Sequence, residues 1–268
     1  MTAASLRVYF VIARQAWREA FIVPEKIVAA LFVLCLRVGL LFAIYRMAYQ
    51  FSDRAPNSVP FTSAVWSIGA YFVLLSFMIR HIYVDISREV KQGTIEMRLS
   101  KPYYYPLLAI AHRLGRGLPD VILSFVATMG ILVLFVGWPP VVFSGIWLGQ
   151  VLLLVLGGLV LASLLYTLVG LSAFWLEDAE PVYWIFDKFV MLLGGAYVPV
   201  VLFPAWLKTI AIWLPFGGFT FAAQAFHSSF TLLWGQLMVS QLLWIIVLGG
   251  TVSMVFRRAR ARVSINGG

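Results

Sequence analysis

An all-α protein threaded repeatedly through a membrane is the fold class this sequence predicts, on three observations. Hydrophobic residues fill 62% of its 268 positions and charged ones only 12%, against about 45–50% and about 25% in a soluble domain; the mean hydropathy is +0.93. The apolar residues form continuous runs of bilayer length and do not alternate with period two, which selects helices over a β-barrel. The 20 lysines and arginines, set against 11 acidic residues for a net charge of +9, gather between the runs, where they orient a membrane protein and do not mark a nucleic-acid surface. The composition leaves no room for a large soluble catalytic domain. Cys35 is the only cysteine, so a disulfide framework and a thiolate metal site are both excluded.

The chain is expected to be one transmembrane domain over 1–268, entered by an interfacial helix over 1–26. At 3.6 residues per turn Leu6, Phe10, Ala13, Trp17 and Phe21 share one face and Arg7, Arg14, Gln15 and Arg18 the other, the pattern of a helix lying in a membrane surface. Arg14, Arg18, Glu19, Glu25 and Lys26 interrupt any leader-like apolar stretch. Pro24 ends this helix. Six spans are expected next, at 27–46, 61–80, 118–137, 152–175, 182–201 and 232–256, with long connections over 82–117 and 202–231. The apolar run 142–175 exceeds the ~30 Å hydrocarbon core at 1.5 Å per residue, so its first part is expected along the outer interface.

Loop charge sets the orientation. Arg7, Arg14, Arg18 and Lys26 precede the first span, Arg88, Lys91, Arg98, Lys101, Arg113 and Arg116 follow the second, and Arg257, Arg258, Arg260 and Arg262 form a basic tail over 257–268. The other side offers Arg54 and Lys208. The positive-inside rule therefore puts both termini in the cytoplasm. Glu177, Asp178 and Glu180 make an acidic cytoplasmic turn, which the rule weights little.

Three segments carry candidate function. In the cytoplasmic connection 81–102, Gly93 is suited to end one helix and Thr94 to cap a short second one, with Glu96 near its positive end and Pro102 stopping it. That helix would display Ile95, Met97 and Leu99 to a partner's groove. On the outer side, Pro199, Pro204 and Pro215 forbid one helix in a segment whose single charge is Lys208, so 199–216 is expected to dip into the outer leaflet as short broken helices. Gly194 and Gly195 allow a bend or close packing at the top of the fifth span. Within the membrane, Arg37 lies mid-span and should not face lipid; Asp120 and Asp187 are the candidate partners, Asp187 slightly favoured.

Catalytic constellations are poorly represented. His81, His112 and His227 are scattered, and no phosphate loop occurs, the dipeptide Gly-Lys being absent from the sequence. A membrane-embedded enzyme acting on lipid through His112, Arg113 and Asp120 at the cytoplasmic interface is the alternative function; Asp120 and Arg116 are i, i+4 neighbours and Arg113 lies one turn earlier, a cluster that could hold a phosphate.

The order of amphipathic helix, two spans, KQGTIEMRLSKP, two spans, FWLEDAE and GGAYVPVVLFPAWLKTIAIWLPF resembles the permease subunits of ATP-binding-cassette exporters of the second class. It is most similar to the six-span bacterial permeases that are often encoded as a pair beside one ATPase. The sharpest matches are Gly93, Thr94, Glu96, Leu99, Lys101 and Pro102, and then Gly195, Pro199, Pro204, Leu214, Pro215 and Phe216. The resemblance implies that Glu89, Lys91, Gly93, Thr94, Glu96, Arg98, Lys101 and Pro102 form the coupling segment that docks on the ATPase. It implies that Gly194, Gly195, Pro199, Pro204, Pro215 and Phe216 belong to the outer gate. It also implies two partner ATPases holding ATP and Mg, no cofactor in this chain, a second permease chain identical or paralogous to this one, lipid around the pair, and residence in the bacterial inner membrane. The apolar spans suit a hydrophobic or amphipathic cargo.

Overall fold

The computed structural model describes residues 3–20, 24–51, 59–101, 103–176, 178–195, 198, 200 and 203–266. Ten α-helices follow one another: α1 (Ala3–Ala20), α2 (Pro24–Phe51), α3 (Phe61–Leu75), α4 (His81–Lys91), α5 (Ile95–Leu99), α6 (Tyr105–Phe135), α7 (Gly145–Leu171), α8 (Glu180–Leu193), α9 (Ala205–Trp213) and α10 (Phe230–Asn266). Among the described residues, two 3-10 stretches at Ser172–Phe174 and Pro215–Phe226 accompany them. Among the described residues there is no strand. The chain is an all-α polytopic membrane protein, with four helices long and apolar enough to cross a membrane, at Phe32–Gln50, Tyr105–Phe135, Gly145–Phe174 and Phe230–Arg262.

Helices occupy all six expected span positions, and four of them, α3, α6, α8 and α10, differ markedly in length from the expectation. α3 and α8 have 15 and 14 residues, roughly 22 and 21 Å at 1.5 Å per residue, short of a ~30 Å core. α3 gives way at Ser76 to a turn through Arg80 in which Met78 has φ +50°; α8 ends at Gly194, and Gly195 turns the chain at φ +81°. α6 begins 13 residues before the expected span, so most of 82–117 is helix and not loop. Pro119 sits inside it, removing only the bond to the Gly115 carbonyl. α10 runs through the expected tail, so Arg257, Arg258, Arg260 and Arg262 are helical.

α7 is the hub. Half of its most apolar window is buried, against 17% for α2 and α6, and Leu154, Leu161, Leu171 and Val169 are almost wholly enclosed. The core around it takes Ile82 and Ile86 from α4, Leu237 and Val252 from α10, and Phe221 from the second 3-10 stretch. α7 is continuous from its cap, where Ser144 Oγ accepts from Trp147 N–H at 3.1 Å, so residues 145–171 contain no separate interfacial segment. By contrast, Phe32, Leu36, Leu40 and Ile44 of α2, and Ile122, Phe125, Val126 and Leu134 of α6, are exposed. In water such faces would aggregate; they suit lipid or another membrane helix.

α1 packs on α6. A side chain at Gly115 would strike the Ala13 backbone, and Gly117 approaches the Phe77 backbone less closely, where a Cβ would lie 3.1 Å from the Phe77 Cα. Among the described side chains of α1, Tyr9 and Ala16 are buried, while Phe10, expected on the anchoring face, is 69% exposed. The helix therefore has two apolar contacts: small residues against α6, and Phe10 with Val11 turned outward.

Candidate functional site

The connection 81–102, expected on the cytoplasmic side, is a helical hairpin rooted in the core around α7. The i, i+4 pair Ile82 and Ile86 buries one face of α4 against α7, where a Cβ on Gly170 would sit 2.9 Å from Ile86 Cβ and 3.0 Å from Tyr83 Cα. Tyr83 stacks on Tyr183 of α8 with ring centroids 4.1 Å apart. Lys91 Nζ donates to Asp178 Oδ1 at 3.0 Å, so the acidic turn that ran against the charge rule holds the end of α4. That contact keeps the exposed Asp178 carboxyl below its usual range.

From this root the chain reverses. Gly93 follows α4 at φ +69° with nothing within 4 Å of where a Cβ would stand. Thr94 occupies the residue before α5 yet makes no capping bond; its backbone is already helical and its hydroxyl donates to the Glu89 carbonyl at 3.4 Å. Glu89 holds the hairpin together. It pairs with Arg98 at 3.0 Å and accepts from the Tyr105 hydroxyl at 2.8 Å. Burial nevertheless outweighs these two stabilising partners and pushes its carboxyl above the ordinary glutamate range. Ile95 is 2% exposed and belongs to the chain's own core, which corrects its expected display to a partner; Leu99 is half-buried. Glu96, Met97, Ser100 and Lys101 remain at the tip, Met97 at 69% exposure. Pro102 lies outside the described residues.

Two clefts flank the root. One, of about 1050 Å³, lies between α1 and the hairpin and takes in Arg7, Arg98, Lys101 and His112. The other, of about 640 Å³, lies among α2, α3 and α6 and takes in Arg37, Arg80, Arg113 and Asp120; Arg116, Arg88, Asp85 and Glu19 border both. Arg113 Nη2 donates to Asp85 Oδ2 at 2.7 Å. His112 thus faces one cleft, while Arg113, Arg116 and Asp120 border the other, where Arg113 is also engaged by Asp85 of α4: the two arginines and Asp120 are brought together and His112 is left apart. Arg37 and Asp187 are not brought together either. Asp187 is 3% exposed and accepts from the Tyr166 hydroxyl at 2.9 Å, whereas Arg37 is exposed in the second cleft, near Asp120 and without an ion pair among the described residues.

In the segment expected on the outer side, Gly195 turns at φ +81° and a Cβ there would lie 2.9 Å from Val200 Cγ2, so it is both a bend and a close approach. Pro204 precedes α9, and Leu214 is extended at ψ 153° ahead of Pro215, as the residue before proline must be. Pro215 opens the 3-10 stretch, and Phe216 stacks on Phe189 of α8 with centroids 5.3 Å apart. Trp147 Nε1 donates to the Ala225 carbonyl at 3.1 Å and Trp244 Nε1 to the Trp213 carbonyl at 2.8 Å. These broken helices are held by indole donors from α7 and α10. Pro199 lies outside the described residues.

Asp85, Tyr105 and the Lys91–Asp178 contact escaped sequence reasoning. The Ile82 and Ile86 spacing was a signal for the buried face of α4; nothing local marked Asp178 as its brace. No curated protein matches the chain. The profile of the ABC-2 family transporter proteins matches residues 27–267, taking in every span, the hairpin and the broken outer segment. With that coverage, the chain belongs to the ABC-2 transporter family and is a multi-pass transmembrane subunit of an ABC transporter.

Proposed function

We propose that this subunit forms half of the membrane path of an ATP-driven exporter in a bacterial inner membrane, with both termini in the cytoplasm. A second permease chain, identical or paralogous, supplies the other half, and two partner ATPases bind ATP and Mg. The observation that carries this reading is the hairpin: an exposed tip at Glu96, Met97 and Lys101 on a root fixed in the α7 core. Such a body transmits a push without deforming, because Ile82 and Ile86 move with α7. Closure of the ATPases would turn the hairpin, and α7 with α8 would carry the rotation to the outer stretch containing Phe216, Pro204 and Pro215. The cargo is hydrophobic or amphipathic, in keeping with the apolar spans.

The test is capture of a Walker-motif ATPase by the tagged chain from its native membranes. Glu96→Arg with Met97→Asp changes only exposed tip residues and should abolish capture while leaving the chain folded. Transport by the purified chain without an ATPase would overturn the proposal.

A further inference from the structure

α3 stops at Leu75, well short of a full crossing, and the backbone from Ser76 to Arg80 turns before α4 begins. Non-helical backbone at membrane depth persists only where protein or a hydrated cavity satisfies it. The turn pairs part of its own backbone, Phe77 N–H bonding to the Leu74 carbonyl and Met78 N–H to the Leu75 carbonyl, and protein packs against one side of it, where Ser76 Oγ lies 2.7 Å from Ser124 Oγ and the Phe77 backbone meets Gly117. On the other side lies the cleft of about 640 Å³ among α2, α3 and α6.

Five arginines and three carboxylates line that cleft, a formal excess of two positive charges. Arg37, Arg80 and Arg116 have no ion pair among the described residues. Arg113 is 8% exposed, and its Nε is buried without a hydrogen-bond partner although its Nη2 is bound to Asp85. Arg37 is the 14th residue of the 28 in α2, too deep to be left bare beside hydrocarbon. Around these cations the walls are apolar, from Val33 and Leu34 on α2 to Phe72 and Leu75 on α3. An inorganic anion would use the guanidinium groups and waste the apolar walls; a neutral lipid would do the reverse. A planar guanidinium fork matches phosphate oxygens in pairs.

We propose that this cleft binds the phosphate headgroup of an amphiphile, with Arg37 and Arg116 donating to its oxygens and its hydrocarbon lying along α2 and α3. Regarding that amphiphile as cargo rests on the transporter reading; its binding does not.

Native mass spectrometry of the detergent-purified chain tests it with dioleoyl phosphatidic acid, dioleoyl phosphatidylcholine and inorganic phosphate as probes. Phosphatidic acid should be retained, phosphatidylcholine should bind more weakly, and inorganic phosphate at equal concentration should not displace the bound phosphatidic acid. Arg37→Gln and Arg116→Gln should each weaken phosphatidic acid binding by about tenfold, the loss of roughly one charge-assisted contact, while Arg37→Lys keeps most of it. Size-exclusion elution should be unchanged in all three variants, since both positions are exposed, and ATPase capture should be unchanged in the two Arg37 variants, Arg37 lying outside the cleft that holds Arg98 and Lys101. Wild-type affinity in Arg37→Gln, equal binding of phosphatidylcholine, or displacement by inorganic phosphate would each overturn the site. Loss of ATPase capture by the wild-type chain with phosphatidic acid binding intact would refute the transporter reading and leave the site standing.

Discussion

Gly93 stands at φ +69° with open space around it, so a larger residue there meets no wall and suffers only the left-handed backbone. That costs roughly 1–2 kcal/mol for an L-residue, more for a β-branched one. Gly93→Val should therefore leave the spans folded and shift α5 relative to α4, and transport-coupled ATP hydrolysis should fall severalfold at normal expression; unchanged coupled hydrolysis would deny Gly93 its role. Glu89 offers a second, pH-dependent test. Its carboxyl titrates above the ordinary value of 4.5 because burial outweighs Tyr105 and Arg98, so the folded state holds the proton more tightly than the unfolded one. Stability from this residue is then fully present below 4.5 and declines as pH rises from there through the higher folded value. Glu89→Gln cannot titrate, so melting temperatures in detergent should show the wild type losing ground to the variant as pH rises across that window; a constant difference would contradict the assignment. Arg37 shows where residue-level reading ended: the sequence located an uncomfortable charge, but its neighbours depend on where α3 stops. Because Asp187 is taken by Tyr166, exchanging Arg37 and Asp187 should fail to restore transport.

At the scale of elements, the apolar periods gave the positions of α2, α7 and α10, and the proline and glycine pattern gave the broken outer segment. Two boundaries were not legible, for physical reasons. The run through Ser76, Phe77, Met78 and Ile79 stays apolar, and the helix breaks there in company with a tertiary contact, the Phe77 backbone against Gly117. The stretch before Leu118 carries Arg113, Gly115, Arg116 and Gly117 and so resembles a loop; it is helical because its glycines receive α1 and the Phe77 turn while Arg113 is bound by Asp85. The same geometry yields a prediction. Gly115→Val drives two methyl groups into the Ala13 backbone, an overpacking that costs about 1–3 kcal/mol. α1 can move away, being joined to α2 only through 21–23, so the expected result is release of α1 with α2–α10 intact. Limited proteolysis should then cut near Arg14 or Arg18 in the variant and spare the wild type, with Gly115→Ala intermediate; equal resistance of all three would show that α1 is held elsewhere.

The whole molecule combines a cluster of cationic segments with exposed apolar helices, and together these support the proposed orientation. Arg7, Arg14, Arg88, Arg98, Lys101, Arg116 and the α10 arginines lie on segments that meet around the hairpin root, while Lys208 is on α9 among the broken outer helices. Reversing the protein would carry the whole cationic cluster across the membrane in exchange for Lys208 and Arg54, against the bias that sets orientation during insertion. The fold adds a reason of its own: α10 continues for ten residues beyond Phe256, a helical extension bearing four arginines that suits the anionic cytoplasmic face. Protease tags on either terminus should therefore be protected in intact cells and cut after the membrane is opened, while a tag inserted at Asn57 should be cut from outside. The insertion is informative because Asn57 falls in the chain between α2 and α3, one span away from the cytoplasmic N-terminus that loop charge proposes. If the terminal tags were cleaved and the Asn57 tag protected, the hairpin tip would face away from cytoplasmic ATP, and no ATPase could dock on Glu96 and Met97.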